Sequence, residues 1–234
     1  MIAGLLGAVA ASCRSIGVLL VIPLAVEYLW GRRGGGDLRP VDRWYAFRHR
    51  IRPDVLWIGL VPLGVVVYAA YLGLATGDPM GVVRAQSDWE RTFLTPIGGL
   101  IAGAGVIVGR IGDLAGLWYM APLAPGQVPG LALARDIVLL LFVSAAIAVL
   151  WWARRRLPVS WVAWGVVSLA YPLSVPSMQQ PLMSLPRFTM ACFPIVVALG
   201  LWAHRGRRMR WMAPLLLTLQ ACWAILFVTW TWAP

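Results

Sequence analysis

Apolar runs long enough to cross a lipid bilayer dominate this sequence. A helix needs about 20 mainly apolar residues to span the hydrocarbon core. Five runs reach or approach that length, and a shorter run begins at a proline and carries the aromatic residues expected at a membrane interface. The six runs cover residues 3 to 29, 55 to 76, 132 to 152, 158 to 174, 187 to 203 and 211 to 232.

This pattern predicts an all-α fold, a polytopic helical membrane protein with about six transmembrane helices. The composition agrees, because 60% of the residues are hydrophobic, only 12% are charged and the mean hydropathy is +0.77. A soluble domain with a polar surface has a lower apolar content. No internal repeat divides the chain, so we expect one helical membrane domain over residues 1–234.

The arginines predict how the chain is oriented in the membrane. Fourteen of the 20 lie in residues 31 to 53, 153 to 157 and 204 to 210. Basic residues next to membrane spans are retained on the cytoplasmic side. We therefore expect a multi-pass protein of the plasma membrane with these three stretches inside the cell. Residues 77 to 131 and 175 to 186 then lie on the outer side.

The charge and the metal-binding residue types exclude other classes of protein. Although the net charge is +11, the arginines flank apolar runs and form no basic folded module, so we expect no nucleic-acid partner. Cys13, Cys192 and Cys222 lie within apolar runs, where a thiol behaves as a small hydrophobic side chain. His49 and His204 lie in Arg-rich stretches, away from other ligand types. We therefore expect neither a metal nor another cofactor.

The Gly-rich run from Ile97 to Val108 is too short for a single crossing and needs another explanation. A re-entrant or interfacial segment suits its length and keeps both of its ends on the outer side. A hairpin of two crossings over residues 97 to 124 also keeps the ends on one side, with Arg110 and Asp113 at its turn. Gly and Pro in the later part of this stretch favour the first alternative.

An outer interfacial helix is predicted from Met80 to Leu94, with Asp78 as its N-cap. Arg84, Asp88 and Arg91 are spaced so that they share one face of this helix. They could pair with one another and with phospholipid headgroups. Alternatively, Arg84 or Arg91 binds the phosphate of a lipid-linked substrate, while Asp78 orients a sugar hydroxyl.

Two further arginines lie where a basic residue is unusual. Arg187 begins a span from the outer side, where an anionic headgroup or a substrate phosphate could hold it. Arg14 lies about midway along the first run, where a charge is costly unless it faces a wet cavity or a partner. We expect Arg14 to line the active cavity, and the alternative is a structural pair with Asp136 or Asp113.

A series of short, mostly apolar motifs runs along nearly the whole chain in a fixed order. They are Ala3 to Ala8, Ser12 to Gly17, Pro23 to Leu29, Val61 to Gly64 with Tyr68 and Tyr71, Gly77 to Pro79 with Ala85, Gln86 and Trp89, and Pro186 to Phe188 with Phe193 and Pro194. Together they resemble the PIG-V-like (GPI mannosyltransferase 2 type) membrane mannosyltransferases of bacteria. The resemblance implies a multi-span fold of the GT-C type that transfers mannose from a polyprenyl-phosphate donor on the extracytoplasmic face.

The resemblance also implies residue roles and one missing part. The family uses an acidic residue, usually in a Trp-Asp motif, in an outer loop after its first span. The similar stretch from Asp42 to Tyr45 is predicted to lie inside, so the catalytic residue is unknown and the chain is expected to match the C-terminal part of such a transferase. The candidate substrate-binding residues are Arg14, Asp78, Arg84, Gln86, Arg91 and Arg187.

Two other classes of function remain open. A membrane transporter or flippase needs polar residues near the middle of the bilayer. A noncatalytic membrane subunit would pack against a partner membrane chain, and Gly99, Gly103 and Gly105 permit such close helix contact.

The expected partners are the polyprenyl-phosphate sugar donor and membrane lipids. In the outer loops, Gln179 and Gln180 could hydrogen-bond a sugar.

Overall fold

The computed structural model describes most of the chain as helices and short connections. The described residues are 1–30, 52–84, 91–116, 129–177, 180–182, 185–190, 192–204 and 209–228. Several predictions therefore lie outside the described residues: the role of Gln86, the position of Asp88, the sugar contact of Gln179 and the stretch from Asp42 to Tyr45.

Regular secondary structure in the described residues is helical throughout, with one isolated bridge between Arg91 and Ser177. Two 3₁₀ segments, Ser15–Leu20 and Pro53–Gly59, lead directly into α-helices. The α-helices are α1 (Ile2–Cys13), α2 (Val21–Trp30), α3 (Leu60–Thr76), α4 (Gly81–Arg84), α5 (Pro96–Leu114), α6 (Pro129–Ala153), α7 (Val159–Ser174), α8 (Leu185–Met190), α9 (Phe193–His204) and α10 (Met209–Val228).

Three helical stretches are long and apolar enough to cross a membrane: Pro53–Thr76, Pro96–Leu114 and Pro129–Ala153. Shorter apolar helices accompany them, including α7 and α9. The all-α class is thus confirmed in the described residues, and the three candidate spans suggest a membrane protein. The predicted number of about six spans stays a prediction, since only three helices in the described part of the chain meet the length and hydropathy expected of a span.

The first apolar run reverses direction at Arg14. Arg14 ends α1 in an extended conformation, with φ −154° and ψ 128°. The amide of Gly17 donates to the carbonyl oxygen of Arg14 at 2.7 Å. A Cβ atom added to Gly17 would lie 2.5 Å from the carbonyl oxygen of Ala10, so the chain has turned back against the end of α1 and needs a glycine there.

Both ends of this run reach the Pro53–Gly59 segment. Gly4 packs against the carbonyl group of Trp57 so closely that a Cβ atom has no room. At the other end, the hydroxyl of Tyr28 donates to Oδ1 of Asp54 at 2.6 Å. Residues 3 to 29 therefore form a helical hairpin with Arg14 at its tip, and the prediction of a single crossing there is wrong. An extended residue between two helices interrupts the backbone hydrogen bonds, which apolarity alone does not reveal.

One end of the bundle is marked by the turn from Arg154 to Leu157, which joins α6 to α7. We call it the arginine end, and the opposite end the far end. The hydroxyl of Ser160, at the start of α7, donates to the carboxylate of Glu27. Glu27 neighbours Tyr28, which holds the Pro53–Gly59 segment. Both ends of the hairpin therefore lie at the arginine end.

Helix α5 begins at a well-formed N-cap. The hydroxyl oxygen of Thr95 accepts from the amide of Gly98 at 3.0 Å, and Pro96 occupies the first turn. The helix continues without interruption through Arg110 and Asp113 to Leu114. The chain therefore does not turn at Arg110 or Asp113. Residues 117–124 lie outside the described residues, so the alternative of two crossings over residues 97 to 124 stays a prediction.

The contacts of α5 place it across the far end of α6 and α7. Near its start, Gly99 packs on the backbone of Leu173, about 21 Å along α7 from Val159 at 1.5 Å per residue. Near its end, Arg110 contacts Asp136, about 25 Å along α6 from Ala153. Both contacts lie at similar distances from the arginine end. The helix thus lies across its neighbours, although its length and composition would also suit a crossing.

The predicted span over residues 187 to 203 is divided into two helices. Leu185 of α8 packs in a cluster with Leu173 and Leu182 near the far end. Ala198 of α9 packs with Ala153 at the arginine end. The connection passes through Cys192, which is buried and not helical. Two broken helices, α1 with α2 and α8 with α9, therefore lie in one bundle.

Close helix packing leads to a first prediction. A Cβ atom at Gly64 of α3 would clash with the carbonyl oxygen of Ala8, so Gly64→Ala forces α1 and α3 apart. We expect a loss of about 1–3 kcal/mol of stability, seen as a lower thermal midpoint of the purified protein. Gly105→Ala is the matched control, because a Cβ atom there meets nothing within 4 Å. Equal midpoints for the two variants would contradict the packing.

Candidate functional site

Arg14 and Arg187 lie against the same aromatic ring. The guanidinium carbon of Arg14 is 5.4 Å from the ring centroid of Phe188, and that of Arg187 is 5.8 Å from the same centroid. Both arginines are exposed and Phe188 is half-buried. Each distance is within the range in which a cation is attracted to an aromatic face. Two candidates separated by most of the sequence thus lie together in the fold.

This pair lies about halfway along the bundle. Gly4 packs on Trp57 at the arginine end, and Arg14 lies about 15 Å farther along α1. Similarly, Ala198 packs at the arginine end, and Phe188 lies about 15 Å farther along α8 and α9. A hydrocarbon core is about 30 Å thick, so both estimates correspond to its middle.

The structural pairing considered for Arg14 is wrong. Among the described residues, no carboxylate lies within salt-bridge distance of Arg14, and Asp136 binds two other arginines instead. The guanidinium group of Arg14 therefore lies beside the Phe188 ring rather than against a carboxylate of the described residues. At such a depth in a bilayer little water solvates a guanidinium group, so it attracts an anion strongly. The arrangement suits an oxyanion that is attached to an apolar chain.

Asp78 and Arg84 form an ion pair just beyond α3. The helix ends at Gly77, whose φ of 74° needs a glycine. Oδ1 of Asp78 then accepts from the amide of Met80 at 3.0 Å and from the Arg84 guanidinium. Asp78 lies where the sequence predicts an N-cap, but the helix α4 begins three residues later, at Gly81. Arg84, which binds Asp78, is on that helix. Both groups are bound to each other in this exposed segment, and whether they bind substrate stays a prediction.

Arg91 is not on a helix with Arg84. It forms an isolated bridge with Ser177, and the next residues continue the pairing. The amide of Leu94 donates to the carbonyl oxygen of Ser174 at 2.8 Å. The predicted helix from Met80 to Leu94 is therefore wrong over residues 91–94, because the chain here pairs with the segment that follows α7. Arg91 lies near the far end rather than on an ionic helix face.

A buried ionic cluster at the far end escaped the sequence analysis. Nε of Arg110 donates to Oδ2 of Asp136 at 2.6 Å, and Nε of Arg135 donates to Oδ1 at 3.0 Å. Arg110 is only 4% exposed and Asp136 only 7%. The available signal was a pair of opposite charges within neighbouring apolar helices, which seldom occurs without direct contact.

Asp136 also lines a small recess with Gln180, Gly103 and Leu182. The volume of about 10 Å³ holds about one water molecule. A sugar ring does not fit there, so a sugar contact by Gln180 needs a wider opening.

The sequence predicts that Gly99 and Gly103 permit contact with another chain. In the structure they pack on Leu173 and Leu182 of this chain.

Comparison of the chain with protein families, with curated proteins and with solved structures finds no match. The resemblance to membrane mannosyltransferases therefore stays a prediction from the sequence motifs. In the described residues, no group of three His, Cys, Asp or Glu side chains is arranged to hold a metal ion.

The buried cluster predicts a large stability effect. Asp136→Asn removes the carboxylate that neutralises Arg110 and Arg135, and we expect a loss of about 3–5 kcal/mol, because breaking a buried ion pair leaves an uncompensated charge. Asp78→Asn is the matched control, since it removes the carboxylate of an ion pair, with Arg84, that is much more exposed to solvent. Thermal denaturation measures both variants. Similar midpoints for the two would show that the buried cluster contributes little.

The Asp78 contact predicts a dependence on pH. The hydrogen bond from Arg84 holds the pKa of Asp78 below its ordinary value of 3.8, and the amide of Met80 acts in the same direction. Because the folded-state pKa is lowered, the stabilisation is present above pH 3.8 and is lost as the pH falls through the folded-state value. The thermal midpoints of wild type and Asp78→Asn should therefore converge in acid. A constant difference between about pH 5 and pH 3 would contradict this coupling.

Proposed function

We propose that this chain binds the phosphate of a polyprenyl-phosphate-linked sugar through Arg14 and Arg187, as part of a membrane mannosyltransferase. One observation carries the proposal: both guanidinium groups lie within 6 Å of the Phe188 ring, at about half the depth of the bundle. Neither group is buried, so a lipid can approach them from the surface of the bundle.

The chemistry of the pair suits this ligand. A guanidinium group donates two parallel hydrogen bonds to a phosphate, and two such groups can share the charge of one headgroup. The prenyl chain needs an apolar environment, which the surrounding helices and Phe188 provide. A soluble phosphate compound would gain nothing from the apolar surroundings, so a lipid-linked phosphate is the better match.

The orientation follows from the positions of the arginines. With Arg154, Arg155 and Arg156 in the cytoplasm, the arginine end faces inward and the far end faces outward across the plasma membrane. Helix α5 then lies in the outer interface, because both of its ends contact the far end of the bundle. The ion pair of Asp78 and Arg84 lies on the same outer side, where the sugar would be transferred.

The transfer step is proposed from the resemblance alone. The motif that includes Pro186, Arg187 and Phe188 is one of those that resemble the family, and Arg187 and Phe188 form part of the site. The acid or base for transfer is unassigned, and a second chain could supply it. A noncatalytic, lipid-binding subunit would use the same Arg14 and Arg187 site, so binding and transfer need separate tests.

Binding is tested with the purified protein and polyprenyl phosphate. We expect Arg14→Ala and Arg187→Ala each to raise the dissociation constant about 10- to 100-fold, because each removes a hydrogen bond between charged groups. Phe188→Leu keeps an apolar side chain at this position and should raise the dissociation constant by a smaller factor. Arg210→Ala is the matched control, since Arg210 is an exposed arginine on another helix. Wild-type affinity in both arginine variants would overturn the proposal.

Transfer is tested in membranes that lack the native activity. Labelled polyprenyl-phosphate mannose is the donor, and the product is scored on the extracytoplasmic face. Transfer by the wild type that both arginine variants lose supports a mannosyltransferase. Binding without transfer, with or without a partner chain, would favour the subunit. Donor movement across the bilayer without transfer would favour a flippase.

A further inference from the structure

Two arginines at the arginine end are held over the faces of two tryptophans. The guanidinium carbon of Arg154 lies 3.5 Å from the ring centroid of Trp151, and that of Arg156 lies 4.0 Å from the centroid of Trp152. Each guanidinium also donates one hydrogen bond to the carbonyl oxygen of its tryptophan, at 2.6 Å from Arg154 and 2.8 Å from Arg156.

These contacts fix the positions of both charges without neutralising them. Arginine has five N–H donors, and one Nη1 contact to a carbonyl leaves the others available. The carbonyl groups belong to the last turn of α6, where the helix dipole favours a positive charge. Arg155 lies between the two and is exposed. The turn therefore presents three guanidinium groups, two of which are already held in place.

The surroundings indicate a ligand from the bilayer. Trp151 is 66% exposed on the apolar helix α6, which is long enough to cross a membrane. Its ring therefore faces lipid where the helix leaves the hydrocarbon core, the usual position of an interfacial tryptophan. Because this ring faces lipid, an anion that approaches the guanidinium groups past the ring is the headgroup of a molecule with an acyl chain.

We propose that the Trp151, Trp152 and Arg154–Arg156 turn binds the phosphate headgroup of an anionic phospholipid in the leaflet at the arginine end. The two indole rings are the platforms that hold the guanidinium groups ready, so fewer side-chain conformations are lost when lipid binds. This site is about 15 Å along the bundle from Arg14 and Phe188 and does not depend on the proposed function.

The experiment separates the tryptophan platforms from the charge. Binding of phosphatidylglycerol and of phosphatidylcholine to the purified protein is measured by native mass spectrometry. The double variant Trp151→Leu, Trp152→Leu keeps every arginine, and we expect it to bind phosphatidylglycerol about fivefold more weakly than the wild type. Trp151→Leu alone should show part of this loss, and it is the safer variant for folding because Trp151 is exposed.

Two controls complete the test. Trp211→Leu removes a tryptophan that is 80% exposed and has no stacked arginine in the described part of the chain, so it should bind like the wild type. Arg154→Ala with Arg156→Ala should lose at least as much affinity as the tryptophan variants. Wild-type affinity in both tryptophan variants, equal affinity for the two lipids, or displacement of lipid by an equal concentration of glycerol phosphate would each overturn the proposal.

Discussion

The interruption of the first helix at Arg14 is the constraint on which the rest of the arrangement depends. An extended residue at this point, followed by Gly17 against Ala10, turns the chain back on itself. Both ends of the hairpin then meet the Pro53–Gly59 segment, and the tip reaches Phe188. A continuous helix would have carried residues 1 and 30 to opposite ends of the bundle, and Arg14 would have lacked its position beside Arg187.

Charged groups on the apolar helices have two different kinds of surroundings. Asp136 is surrounded by Arg110 and Arg135, which fixes the end of α5 against α6. Arg14 has no carboxylate partner among the described residues and lies instead beside an aromatic ring and a second arginine. A buried charge is tolerated when it is paired, whereas an exposed arginine at mid-membrane depth without such a pair more often serves a ligand. This contrast distinguishes the structural cluster from the proposed phosphate site.

Sequence reasoning was sufficient for properties that depend on composition and failed for those that depend on contacts. Apolar runs predicted the helical class, and the residues around Asp78 predicted that a helix starts close to this point. The reversal at Arg14 was missed, because a run of apolar residues has the same composition whether it is straight or folded back. The pairing of Arg91 with Ser177 and of Arg110 with Asp136 depends on distant segments, which local spacing does not encode. The sequence predicts Arg14 and Arg187 separately as site residues, whereas their shared contact with Phe188 depends on the fold.

Labelling of single cysteines from each side of the membrane tests the hairpin most directly. In a variant without native cysteines, Ile2→Cys, Trp30→Cys and Met80→Cys introduce exposed thiols at the two ends of the hairpin and beyond α3. A maleimide that does not cross membranes should label positions 2 and 30 from the same side and position 80 from the opposite side. Labelling of positions 2 and 80 from one side and position 30 from the other would contradict the hairpin and the placement of Arg14.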